Sequence, residues 1–213
     1  MTTLAEHDSK RLLAEHGVPI APERMVHTAE EAVSAARDLG LPVVAKLAGE
    51  GIAHKTERGL VRLGLSSDEE VAAACDDLLA AATPADGDVV VLVAPMVAGI
   101  RELIAGVHDD PQFGRCVMVG VGGVLAEALG DVAFRLVPID ALDAQEMLDD
   151  LSGQALLGPV RGEPPVDRMA AAEVLLALSR LAEAHPDVVA VDVNPLIVVD
   201  GRPIAVDALV EVR

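Results

Sequence analysis

Between residues 88 and 139 the chain places four apolar, β-branched runs in succession: DVVVLVAPMV, RELIAGVHD, RCVMVGVG and DVAFRLVPI. Glycine-containing or polar turns separate them, the pattern of consecutive strands. Helical segments stand before and after this block, but not in strict alternation with strands. That order predicts α+β lobes rather than a doubly wound parallel sheet. Upstream, residues 3–16 read as a helix with Leu12 and Leu13 inward and Gly17 as its stop. Thr28 with Glu31 forms a capping box for a helix over 29–39, closed by Gly40. PVVAKLA and GLVRLGL read as outgoing and returning strands, and Ser67 caps a helix over 68–82. Downstream, Asp140 opens a helix to about 151. Residues 167–184 form an amphipathic helix, with Met169, Ala170, Val174, Ala177 and Leu181 at helical spacing. VVAVDVNPLIVV, the turn DGRP and IAVDALVEV close the chain as a β-hairpin pattern. Two lobes are expected, 1–93 with the leading helix and 94–213.

With 52% apolar residues but only two Phe and no Trp or Tyr, the core must be built from Ala, Val, Leu and Ile. The missing aromatics remove the usual stacking platform for single-stranded nucleic acid. A net charge of −19 repels phosphate backbones and anionic membranes, so neither nucleic acid nor a membrane is an expected partner. Cys75 and Cys116 lie far apart and outside any CxxC, the pattern of free thiols in a reducing compartment. The N-terminus lacks an apolar leader, and no apolar run reaches the length of a membrane span, so the expected location is the cytoplasm.

Positive charge is carried by 13 arginines against three lysines, Lys10, Lys46 and Lys55, and two of the lysines flank His54. Lysine supplies a compact point charge for phosphate, and histidine a base or nucleophile. Lys46 ends a strand, where it either reaches a phosphate or snorkels at the surface. His54-Lys55 sits between Gly51 and Gly59, either as an activated imidazole beside a cation or as an exposed loop histidine. Gly120, Gly122 and Gly123 follow a strand without matching a phosphate-loop motif, and Glu127 follows them. Asp192 and Asn194 alternate along one strand and so share a face, with Asp207 expected on the next strand. An amide oxygen and a carboxylate on adjacent strands suit Mg²⁺, while an Asn-Pro turn with a surface aspartate is the structural alternative.

The ordered set PVVAKLAGEGIAHKTERG, VLVAPMVAGIRELIAGVHDDPQFG, VMVGVGGVLAEALGDVAFRLVPI, LLGPVRGEPPVD and VDVNPLIV resembles the ATP-grasp subunit of NDP-forming acyl-CoA synthetases. The likeness runs from about residue 9 to the C-terminus. It implies an ATP-grasp fold with ATP or ADP held between two α+β lobes. It also implies a reversible acid–thiol ligation in which phosphoryl groups pass through histidine. By position, Lys46 and Lys55 resemble phosphate-binding lysines, Ala94 and Met96 the adenine-contacting strand, and Glu102 a carboxylate near the nucleotide. Asn194 and Asp207 resemble Mg²⁺ ligands, Asp192 the acid that steadies phosphohistidine, and His54 a relay histidine. Family members often place two glycines after the His-Lys motif, where this chain has Gly59-Leu60. There is no CoA-binding glycine fingerprint. The resemblance therefore implies an α subunit that supplies the principal phosphohistidine and the sites for CoA and the acid. Two other readings stand beside it, a stand-alone acyl-phosphate-forming ligase or kinase and a non-catalytic nucleotide-binding regulator.

Overall fold

Among the described residues, two antiparallel sheets hold four and seven strands. The computed structural model describes residues 1–49, 51–52, 58–123 and 130–213. The chain divides into a smaller unit, Ala5–His7 with Ala21–Val97, and a larger one, Met1–Leu4, Asp8–Ile20 and Ala98–Arg213. The passage between them thus falls at Val97–Ala98 rather than after residue 93, and helix α1 (Glu6–Glu15) belongs mainly with the larger unit.

The smaller unit orders strands β2 (Arg24–Val26), β5 (Val89–Pro95), β3 (Val43–Gly49) and β4 (Val61–Leu65) side by side. Helices α2 (Ala29–Leu39) and α3 (Asp68–Ala80) pack on this sheet. Both start where their caps predict: Thr28 accepts from Glu31 N–H and Ser67 from Glu70 N–H. Their alanine-rich inner faces meet the apolar strands, and Leu60 is buried in the same cluster. That burial explains the leucine after Gly59: it fills the core of this unit.

The larger unit orders β1 (Thr2–Thr3), β11 (Ala208–Val212), β9 (Val188–Val199), β6 (Glu102–Asp110), β7 (Gly114–Val121) and β8 (Val132–Leu136), with β10 (Arg202–Ala205) also paired to β9. Helices α4 (Ala141–Asp149), α5 (Gln154–Leu157) and α6 (Arg168–Ala184) follow the strand block. Asp140 caps α4 by accepting from Leu142 and Asp143 N–H, and α6 lies on β6 and β7.

Three expectations need correction. The leading helix starts at Glu6 rather than at residue 3, because Thr3, with Thr2, pairs in a strand with Glu211 and Val212. Met169 is exposed at 68%, and the inward stripe of α6 starts instead from Ala171, Val174, Leu175 and Leu178. IAVDALVEV is not one hairpin strand: it breaks at Val206-Asp207, and β10 and β11 each pair with a different stretch of β9. Both cores are built from Ala, Val, Leu and Ile with Met147 and Cys75 added, and both phenylalanines are exposed.

Candidate active site

The larger unit builds its candidate metal site around a break in pairing. Strand β9 runs unbroken through Asn194-Pro195, so the Asn-Pro turn expected as the structural alternative does not form; the peptide between them is cis. Proline has no N–H to give a ladder, and strands accommodate it at irregularities. Here the register of β6 on β9 shifts between Leu103 and Ala105, opposite this dipeptide. On the other side β10 ends with Ala205 against Leu196, and β11 starts with Ala208 against Val193. Val206-Asp207 fills the gap between them, with Val206 N–H donating to Pro195 O at 3.3 Å. Asp207 therefore lies in a connector rather than on a strand, which corrects the sequence expectation.

Asp192 and Asn194 are both exposed while Val191 and Val193 are buried, so they do share one face. Asp192 lies level with Gly106, which lies level with Met118, itself level with Phe134, so the row crosses β9, β6, β7 and β8. Partial exclusion of water raises the Asp192 pKa above the ordinary carboxylate value, and the negative charge of Asp207 raises it further. Asp207 Oδ1 accepts from Ala208 N–H at 2.9 Å. The Asp207 carboxylate that repels Asp192 and the amide of Asn194, on the same strand face as Asp192, are hard-oxygen donors of the kind that suit Mg²⁺.

Glu102 opens β6, half-buried, with its carbonyl accepting from Gly122 N–H at 2.8 Å. It lines a cavity of about 250 Å³ with Gly122 and Gly123, so the glycine pair singled out in the sequence sits beside it. Glu127 lies outside the described residues.

In the smaller unit, Lys46 is neither a surface lysine nor open to solvent. It is 8% exposed on β3, and its Nζ pairs with Glu6 Oε1 at 2.9 Å. Sequence reasoning passed over Glu6. The signal was present as Glu6, Ser9, Lys10 and Leu13, an i, i+3, i+4, i+7 stripe that is buried throughout. Three of its four members are polar, so a search for apolar periodicity overlooks it. Ala94 is buried near the end of β5, and Met96 follows the strand, 40% exposed, with its N–H donating to Pro42 O.

His54 and Lys55 lie outside the described residues. The residues that flank them in sequence are both tied to Asp86. Gly51 N–H donates to Asp86 O at 3.3 Å, and a Cβ at Gly51 would meet Ala85 O at 2.3 Å, so only glycine fits there. Arg58 grips the buried Asp86 carboxylate with two bonds, at 2.7 and 3.0 Å, and Thr83 donates to it from both N–H and Oγ1. Arg58, followed by the Thr83 bonds, holds the Asp86 pKa far below the ordinary carboxylate value.

The ATP-grasp domain family matches residues 1–212. The β subunit of acetate–CoA ligase [ADP-forming] II of Pyrococcus furiosus is 36% identical over 201 residues, covering 92% of this chain and 85% of that protein. A structure of dinucleotide forming acetyl-coenzyme A synthetase 1 from Ca. Korarchaeum cryptofilum, in complex with coenzyme A, Ca-AMPCP and HgCl+, superposes with a TM-score of 0.91 at 33% identity. It matches 100% of this chain and 94% of the solved one. A second structure of that synthetase holds coenzyme A and Mg-AMPPCP, with a phosphohistidine segment pointing towards the nucleotide binding site. It has a TM-score of 0.85 at 34% identity and matches 100% of this chain and 93% of its own.

Proposed function

This chain belongs to the ATP-grasp domain family, and from that premise we propose that it is the nucleotide-binding β subunit of an NDP-forming acyl-CoA synthetase. The reaction is acid + CoA + ATP ⇌ acyl-CoA + ADP + phosphate, with phosphoryl groups carried between sites on histidine. The observation that carries the reading is near-complete, two-way coverage with an ADP-forming acetate–CoA ligase β subunit. An α subunit binds CoA and the acid and brings the principal phosphohistidine. The complex works in the cytoplasm.

Each residue has a role set by its chemistry. Asn194 and Asp207 hold Mg²⁺, which when bound neutralises phosphate charge and fixes phosphate geometry. Lys46 contacts nucleotide phosphates, and Lys55 adds a second positive charge. Ala94 and Met96 contact adenine, with Glu102 near the nucleotide. Asp192 accepts a hydrogen bond from an imidazole N–H and orients the ring, so that the opposite nitrogen is the one that receives or returns phosphate. Its raised pKa marks a carboxylate that gains from a cationic or N–H partner. His54 receives the group for relay.

Isothermal titration of the purified chain with Mg-ADP tests the binding role, and coupled acyl-CoA synthesis tests the subunit role. Binding by the chain alone, with turnover only after a CoA-binding subunit is added, is expected. Full turnover by the isolated chain would sink the proposal, as would failure to bind Mg-ADP.

A further inference from the structure

The RGEPPVD motif has no role in the site above, yet its turn is unusual. Val160 and Glu163 face each other as an isolated antiparallel bridge, and Glu163 N–H donates to Val160 O at 2.9 Å. The two residues between them, Arg161 and Gly162, have φ of 48° and 90°. Positive φ at both central positions is the type I′ signature, which favours Asn, Asp or Gly in the first place. The same unit makes such a turn between β9 and β10 with a preferred pair, Asp200 (φ 49°) and Gly201 (φ 83°). An arginine held left-handed is strained where an asparagine would not be.

The rest of the loop does not need Arg161. Buried Arg101 donates Nε to Glu163 Oε2 at 3.2 Å, Nη1 to Gly158 O at 2.9 Å and Nη2 to Pro164 O at 2.6 Å. Glu163 Oε1 accepts from Ile100 N–H at 3.3 Å, and Val166 N–H donates to Leu157 O at 2.8 Å. Arg161 itself is exposed and takes no hydrogen bond or ion pair among the described residues. Exposed Pro159, Pro164 and Pro165 share its loop; Ile100, 54% exposed, donates its N–H to Glu163, two residues after Arg161, and Leu156, 38% exposed, lies on the short helix that leads into the loop. A site for free phosphate gathers several donors, whereas one arginine among aliphatic and proline side chains has the composition of a protein interface. On a chain of net charge −19, an acidic partner group is attracted where an arginine is held out locally.

We propose that the Arg161 turn docks the CoA-binding partner subunit, its guanidinium taking a carboxylate of that subunit while Ile100, Leu156 and the prolines supply the apolar surround. This rests on the reading of the chain as a β subunit. The test is Arg161→Asn, which restores the preferred Asn-Gly turn, with Arg161→Lys beside it. Melting of the chain alone, titration with the partner subunit, and kcat and KM of the reconstituted complex are the readouts. Arg161→Asn should melt about 2 °C higher. It should also bind the partner at least about tenfold more weakly, with kcat unchanged at saturating partner. Arg161→Lys should recover part of the affinity. Partner affinity equal to wild type overturns the docking surface, whatever the melting temperature. A loss confined to the KM for CoA or nucleotide also overturns it, in favour of a small anionic ligand. If the wild-type chain binds no such partner, the subunit reading fails and the docking surface with it. Wild-type assembly with unimpaired Arg161→Asn assembly overturns the docking surface alone.

Discussion

With the proposed phosphate role, Lys46 would serve folding and ligand binding with the same charge. Its ion pair with Glu6 is almost wholly out of water, the Glu6 side chain being fully buried. Removing one member of a buried ion pair costs about 3–5 kcal/mol. Lys46→Met and Glu6→Met should each lower stability in urea by about 3 kcal/mol, and because the two side chains are in contact the double variant should lose less than their sum. The double variant should still fail to bind Mg-ADP; recovery of binding along with stability would remove Lys46 from the phosphate site. Asp192 poses the opposite case. Its folded pKa is raised, so its favourable contribution exists below the unfolded pKa and is lost as pH rises through the folded one. At neutral pH the ionised Asp192 therefore destabilises the ligand-free chain. Asp192→Asn should melt higher than wild type at pH 7.5, with the gap closing below about pH 3.9, while the reconstituted complex loses phosphoryl transfer. A variant that melts lower at pH 7.5 would contradict the assigned repulsion.

Among the elements, what was legible in the sequence was local. Thr28, Ser67 and Asp140 cap their helices because a capping residue and the N–H it serves lie within one turn. Asp192 and Asn194 share a face because strand alternation is fixed by the backbone. What was not legible depends on distant pairing. Thr2–Thr3 is a strand because Val212 and Glu211 lie beside it, and Asp207 leaves the strand because Pro195 interrupts both neighbours of β9. Asp86 belongs to the same group: nothing in TPADGD announces that it binds Gly51 through its carbonyl and Arg58 through its carboxylate. Its folded pKa is depressed, so its contribution is present above the unfolded pKa and disappears as pH falls. Asp86→Asn should lower the melting temperature at pH 7, with the difference from wild type fading below about pH 3.9. In the reconstituted complex it should slow phosphoryl transfer more than it weakens Mg-ADP binding, because it loosens the flanks of the His54 segment and leaves Lys46 in place. Equal loss in both measurements would show a general collapse of the smaller unit instead.

For the whole molecule, the scarcity of aromatics sets how stability is distributed. Both phenylalanines are exposed, so each unit is held by close packing of small aliphatic side chains. Leu78 and Leu178 are fully buried and belong to different clusters, the first under the four-stranded sheet and the second under the seven-stranded one. No large ring stands nearby to relax into a vacated volume, so truncation at either site should leave most of its cavity open. Leu→Ala at such positions costs about 2–5 kcal/mol. Because the clusters are separate, the loss should be read locally in hydrogen exchange. Leu78→Ala should speed exchange in β3 and β5 on the order of a hundredfold while β6 and β9 change far less, and Leu178→Ala should do the reverse. Equal acceleration in both sheets from either variant would mean that the two clusters open in one cooperative step. In that case the break at Val97–Ala98 would be a division of contacts without being a division of stability.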